Sequence, residues 1–159
     1  MSAMARLGLQ SEKLVRYIEQ DYIEKARAFV RNQAPTVISS ASYMQLYNMV
    51  IEQCDIGDNS AELYDYAVQV SERFIETDIR PIVETVPSWA SDFDKVTAFA
   101  EAWTKYTLFV KLIERLFEYM NRYCTQRLGK VHTTEMSYFA FKSQIFWNYK
   151  QKLVQGVVP

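Results

Sequence analysis

The segment from Asp92 to Arg127 constrains the fold most, because it contains neither glycine nor proline and keeps one apolar period throughout. Steps of three and four residues separate its apolar positions, which is the spacing of one face of an α-helix. These positions are Val96, Phe99, Trp103, Tyr106, Val110, Ile113, Phe117, Met120 and Cys124. At 1.5 Å per residue the helix would be roughly 54 Å long. A compact chain of this size is only about 40 Å across, so we expect an elongated molecule.

A second apolar stripe joins the C-terminal half of this segment. Its members are Phe109, Leu112, Leu116, Tyr119 and Tyr123. A helix that is apolar on two sides must be covered by several neighbours rather than by one partner. We therefore predict that this long helix is the central helix of a bundle.

The positions of glycine and proline in the remaining chain predict an all-α fold of five helices. Four glycines and four prolines in 159 residues are too few for the turns of a β-sandwich or barrel. Apolar residues follow the helical period between these breaks. The predicted helices run from Glu12 to Asn32, Ser40 to Cys54, Ser60 to Pro81, Asp92 to Arg127 and Thr133 to Leu153. We expect residues 1–11 to be a flexible N-terminus and residues 12–155 to form a single domain.

Residues that carry enzyme chemistry are scarce. His132 is the only histidine, so a two-histidine metal site is excluded and a catalytic triad would depend on this one loop residue. The sequence has no glycine-rich phosphate-binding motif and no CxxC pair. We therefore predict no catalytic residues, no metal site, no cofactor and no enzymatic activity.

The charge pattern and the cysteines exclude further classes of function. Lysine and arginine total 18 against 19 acidic residues, with no basic run that would indicate nucleic-acid binding. No apolar stretch approaches the length of a membrane span. Cys54 and Cys124 lie within helical apolar patterns, as buried free thiols in a reducing compartment do. We expect a cytoplasmic and nuclear protein that binds neither nucleic acid nor membranes.

The second predicted helix carries an unusually wide apolar arc. On a helical wheel the apolar side chains of Tyr43 to Cys54 fill about 160°, which is more than one core contact needs. In one interpretation both halves of the arc are buried. In the other, Leu46 and Val50 face the core while four residues form an exposed strip of types that are enriched at protein interfaces. The strip would consist of Tyr43, Met44, Tyr47 and Ile51.

Three segments, in this order, resemble the first repeat of the N-terminal domain of the cullin family. YMQLYNMVIEQC, which begins at Tyr43, looks like the second helix of that repeat. LYDYAVQVSERFIETDIRPIV, which begins at Leu63, resembles the third helix, and AWTKYTLFVKLIERLFEYMNRYCTQR, from Ala102, resembles the fourth. The resemblance implies an elongated five-helix cullin-repeat-like bundle with one long central helix.

The resemblance also implies a function and a site. The first cullin repeat binds a substrate-receptor adaptor, of the SKP type or with a BTB/POZ fold, through its second and fifth helices, as part of a ubiquitin ligase scaffold. Carried over to this sequence, the implied adaptor-binding residues are Tyr43, Met44, Tyr47, Asn48 and Ile51, with Thr134 and Tyr138 on the last helix. Binding of a RING-box protein belongs to a C-terminal cullin domain that is absent here, so the chain resembles an N-terminal fragment or a short homologue.

Two alternatives remain open at this stage. A helical enzyme or ligand-binding bundle would use the aromatic interior as a pocket with convergent polar groups. A homodimer would instead bury the strip on the second helix against a second copy of the chain.

Overall fold

The computed structural model describes residues 9–32, 38–55 and 59–150, which form six helices and no strand. Helix α1 covers residues 9–32, α2 is Ser40–Asp55, and α3 covers residues 59–84. Helix α4 is Asp92–Leu116, α5 is Glu118–Tyr123, and α6 covers residues 133–150. The prediction of an all-α fold is confirmed. Residues 1–8 and 151–155 of the expected N-terminus and domain lie outside the described residues, while residues 9–11 belong to α1.

Polar side chains define where α2 and α4 begin. The Oγ atom of Ser39 accepts a hydrogen bond from the backbone N–H of Ser42 at 3.1 Å, just before α2. Ser91 accepts from the N–H of Asp94 in the same way, at 3.1 Å, and caps α4. Each cap satisfies one of the N–H groups that have no partner within the first turn of a helix.

The predicted long helix is divided at Phe117, so α4 alone is about 37 Å long. Phe117 has φ −100° and ψ 16°, outside the helical range, and α5 begins at the next residue. The Phe117 side chain is nevertheless fully buried, which explains why the apolar pattern runs through the break. The break therefore changes the backbone without removing any residue from the core.

Three helices contain a π-helical turn that the apolar pattern does not predict. The turns are Glu19–Ile23 in α1, Ile75–Ile79 in α3 and Lys142–Phe146 in α6. In α3 the wide turn ends at Ile79, two residues before Pro81, which has no N–H to donate to the preceding turn. Pro81 thus alters the helix without ending it, and α3 continues to Glu84.

The core forms around the middle of α4, which packs against α1, α2, α3 and α6. The rings of Phe74 and Phe109 stack with their centroids 3.8 Å apart, and those of Tyr106 and Phe141 stack at 5.3 Å. These contacts join α3, α4 and α6 into one apolar cluster. The prediction that the long helix is central is confirmed for this part of α4.

The first turns of α4 differ from the prediction because two residues of the predicted stripe are not buried there. Val96 and Trp103, both in the predicted stripe, are 57% and 40% exposed, whereas Phe99 packs against Phe141 and Phe146 of α6. Ala98 and Ala102 are the buried residues of these turns. The apolar stripe that the sequence predicts is therefore buried only in part at the start of α4.

Candidate functional site

Helix α2 separates core residues from partly exposed ones along the line that the sequence predicts. Leu46 and Val50 are buried against the other helices. Met44 and Asn48 are exposed, and Tyr43, Tyr47 and Ile51 are half-buried. The strip is therefore accessible, but three of its four apolar members also contact the protein interior.

The tyrosines of this strip form a row with Tyr22 of α1. Ring centroids are 6.3 Å apart between Tyr22 and Tyr43, and 5.9 Å apart between Tyr43 and Tyr47. The Tyr43 hydroxyl donates a hydrogen bond to the backbone carbonyl of Arg115 at 2.9 Å, and Tyr22 donates to the carbonyl of Leu112. The row thus holds α1 and α2 against the last two turns of α4.

A groove of about 560 Å³ runs along α4 and α5 to the N-terminus of α6. Charged and polar side chains line it, in contrast to the apolar strip on α2. The lining residues are Lys111, Glu114, Arg115, Glu118, Asn121, Arg122 and His132. We call this surface the charged groove.

The α2 tyrosines lie beside the charged groove. The pKa of Tyr43 is raised, mainly by burial and further by the neighbouring Tyr47 hydroxyl and the Glu118 carboxylate, while the Arg115 guanidinium opposes the shift. The Tyr43 hydroxyl also donates to the backbone carbonyl of Arg115, whose side chain lines the groove. The strip on α2 therefore meets the charged groove at Arg115.

The far end of the groove is fixed by hydrogen bonds between α5 and the start of α6. The Nδ2 atom of the buried Asn121 donates to the Thr133 Oγ1 at 2.8 Å, and its Oδ1 accepts from the Thr133 N–H at 3.1 Å. The His132 Nδ1 accepts from the Thr134 N–H at 3.1 Å and caps α6. His132, which the sequence pattern presents as a loop residue, thus has a defined structural role at the groove.

The two predicted site residues of α6 are placed differently. Thr134 follows the His132 cap, and its Oγ1 is buried without a hydrogen-bond partner among the described residues. Tyr138 lies one turn further on, where its ring contacts Trp103 of α4 at a centroid distance of 5.5 Å. Among the described residues, neither side chain forms a hydrogen bond, ion pair or ring contact with the strip on α2.

The apolar pattern of the sequence does not predict the floor of the groove. Arg115, Glu118 and Arg122 lie on one face of α4 and α5. In the sequence, their charges are equally consistent with an ordinary solvent-exposed helix surface. A signal was present, because charged residues recur at positions 111, 115, 118 and 122 with helical spacing. Their position beside an apolar strip becomes visible only when α2 is folded against them.

Within the described residues the aromatic rings of the interior stack on one another, as Phe74 does on Phe109 and Tyr106 on Phe141. Two further surface grooves, of about 630 and 540 Å³, are lined mainly by charged and polar residues such as Glu72 and Lys105. Among the described residues no group of histidine, cysteine, aspartate or glutamate side chains is arranged to hold a metal ion. No described helix is long and apolar enough to cross a membrane.

Comparison with known proteins identifies the family. The model of the cullin alpha solenoid domain matches residues 12–159. The chain belongs to the cullin family. This cullin chain is 23% identical to Cullin-1 of rice, Oryza sativa subsp. japonica, over an alignment of 142 residues that covers 87% of the chain. It spans 18% of the length of that relative. No solved structure gives a significant match.

Proposed function

We propose that this cullin domain is a non-catalytic docking module of a ubiquitin ligase scaffold, and that it binds a substrate-receptor adaptor of the SKP type or with a BTB/POZ fold. The observation that carries the proposal is the accessible strip on α2 beside the charged groove, within a chain that matches the cullin family model almost throughout. Binding of a RING-box protein would belong to a longer cullin, outside this chain.

The proposed contact surface combines α2 with the start of α6, the helices that correspond to the second and fifth helices of the sequence prediction. Met44 supplies the exposed apolar side chain on α2, and Asn48 a polar neighbour one turn away. Tyr43, Tyr47 and Ile51 each expose one edge. We include Thr134 and Tyr138 of α6 in the same proposed surface.

Tyr47 is the sharpest test of this proposal. Its ring is half-buried beside Tyr43, and it is the central aromatic residue of the strip. Tyr47→Ala should weaken adaptor binding by about 2–4 kcal/mol, a thirtyfold loss or more, if the residue is a binding hot spot. Calorimetric titration with a SKP-type adaptor, and separately with a BTB-domain protein, measures the loss.

Leu46→Ala provides the matched control on the same helix. Leu46 is buried, so its truncation should lower the free energy of unfolding by about 2–5 kcal/mol through a core cavity. Binding by the folded fraction should change little. Full-affinity binding by a folded Tyr47→Ala variant would place the adaptor site elsewhere. Sedimentation of the wild-type chain without adaptor tests the competing homodimer, which requires a mass that rises with concentration.

A further inference from the structure

We propose that the partner bound at the α2 strip places a carboxylate side chain in the charged groove, against Lys111 and Arg115. The inference rests on the proposed adaptor function and adds the chemistry of the partner surface: an aspartate or glutamate next to the apolar residues that contact α2. Its basis is the difference between paired and unpaired charges on the floor of the groove.

One pair of charges in the groove is already satisfied within the chain. The Arg122 Nη2 lies 2.9 Å from the Glu118 Oε1, four residues earlier on the helical surface. This ion pair leaves neither group in need of an external partner. It also accounts for one of the two acidic residues in the lining, so that Glu114 is the remaining anion.

Lys111 and Arg115 are the two lysine or arginine side chains of the groove that lie outside this ion pair. Both are exposed, and neither forms an ion pair or a side-chain hydrogen bond with any described residue. They stand four residues apart on α4, where two like charges repel each other. Glu114 is half-buried and lies between them in sequence. The charges that an incoming partner meets in this groove are therefore mainly positive.

Arg115 is positioned to connect the groove with the apolar strip. Its backbone carbonyl accepts the hydrogen bond of the Tyr43 hydroxyl at 2.9 Å, and its guanidinium lies close enough to oppose the raised pKa of Tyr43. A guanidinium binds a carboxylate through two parallel hydrogen bonds, which fix the orientation of both partners. A partner that covers Tyr43 and Tyr47 would bring its own acidic residue to this point without a further movement of the chain.

Charge reversal tests the inference. We expect Lys111→Glu combined with Arg115→Glu to lower the affinity for a SKP-type adaptor at least tenfold, mainly through slower association. Raising the salt concentration should weaken wild-type binding and strengthen binding of the double variant, because salt screens an attraction in the first and a repulsion in the second. Lys95→Glu is the matched control, because Lys95 lies on the same helix outside the groove, and it should change the affinity less than twofold.

The outcomes separate this inference from the proposed function. Wild-type binding that Tyr47→Ala abolishes, but that charge reversal and salt leave unchanged, would overturn the inference and keep the adaptor site. If neither a SKP-type adaptor nor a BTB-domain protein binds the wild-type chain, the proposed function and this inference fail together.

If melting curves show that the double reversal unfolds the chain, the neutral variants Lys111→Gln and Arg115→Gln replace it, with a threefold or greater loss of affinity expected. Rescue of Arg115→Glu by an adaptor whose facing carboxylate is changed to lysine would confirm direct pairing.

Discussion

The hydroxyl group of Tyr43 donates a hydrogen bond to the backbone carbonyl of Arg115 across 2.9 Å, and the two residues are 72 positions apart in sequence. Arg115 lies in the last turn of α4, where backbone carbonyls have no partner within the helix. The bond satisfies one of these carbonyls and fastens α2 to α4. Tyr43 therefore contributes to the stability of the fold and, at its exposed edge, to the proposed docking surface.

Removal of this hydroxyl tests the structural half of that dual role. Tyr43→Phe should lower the free energy of unfolding by about 1 kcal/mol, because the Arg115 carbonyl loses its partner while the ring stays in place. Urea denaturation monitored by helical circular dichroism measures the change. Tyr47→Phe is the control, since no hydrogen bond of the Tyr47 hydroxyl is present among the described residues, and its cost should stay below about 0.5 kcal/mol. Equal losses in the two variants would contradict this role for Tyr43.

The periodicity of apolar residues predicts the helices well, because burial of one face is what stabilises them. Leu46 and Val50 of α2 illustrate this, because their spacing alone predicts that they face the protein core, where they are buried. The break at Phe117 is not predicted by the same argument. Its side chain is buried as the pattern requires, and only the backbone departs from the helix.

The charged groove lies beyond what periodicity can predict. The pattern describes one helix at a time, whereas the groove depends on contacts between helices that are distant in sequence. Asn121 illustrates what periodicity does not predict. It follows Met120 in a segment whose helix is predicted from apolar residues, and its structural role depends on its hydrogen bonds to Thr133. The family resemblance predicts the helices that could bind an adaptor, but not the charges that lie between them.

Asn121 supplies a second prediction, about the attachment of α6. Asn121→Ala removes both side-chain hydrogen bonds to Thr133 and leaves a buried N–H without a partner. We expect a loss of about 2–3 kcal/mol in the free energy of unfolding. Hydrogen exchange should quicken first at the start of α6.

Asn148→Ala is the matched control for this substitution. The Asn148 side chain donates to the Gln144 carbonyl on the exposed surface of α6, at 2.7 Å. Loss of this bond should cost less than about 0.5 kcal/mol, since water replaces it. If the two asparagine variants were equally stable, the Asn121 network would not hold α6 in place.

Alkaline titration gives a third prediction, because burial raises the pKa of Tyr22, Tyr66 and Tyr106 well above the usual value for tyrosine. In the unfolded chain these side chains ionise near pH 10. The folded state favours their neutral form, so the stability that they contribute is complete below about pH 10 and decreases as the pH rises toward the folded pKa values.

The three buried tyrosines should therefore ionise only together with unfolding, in a steep and cooperative step. Tyrosinate absorbance and helical circular dichroism, recorded on the same sample, measure ionisation and unfolding together. Complete tyrosine ionisation in a chain that keeps its helical signal would show that these hydroxyls are open to solvent, and would contradict the buried hydrogen bond from Tyr106 to the Ser137 carbonyl.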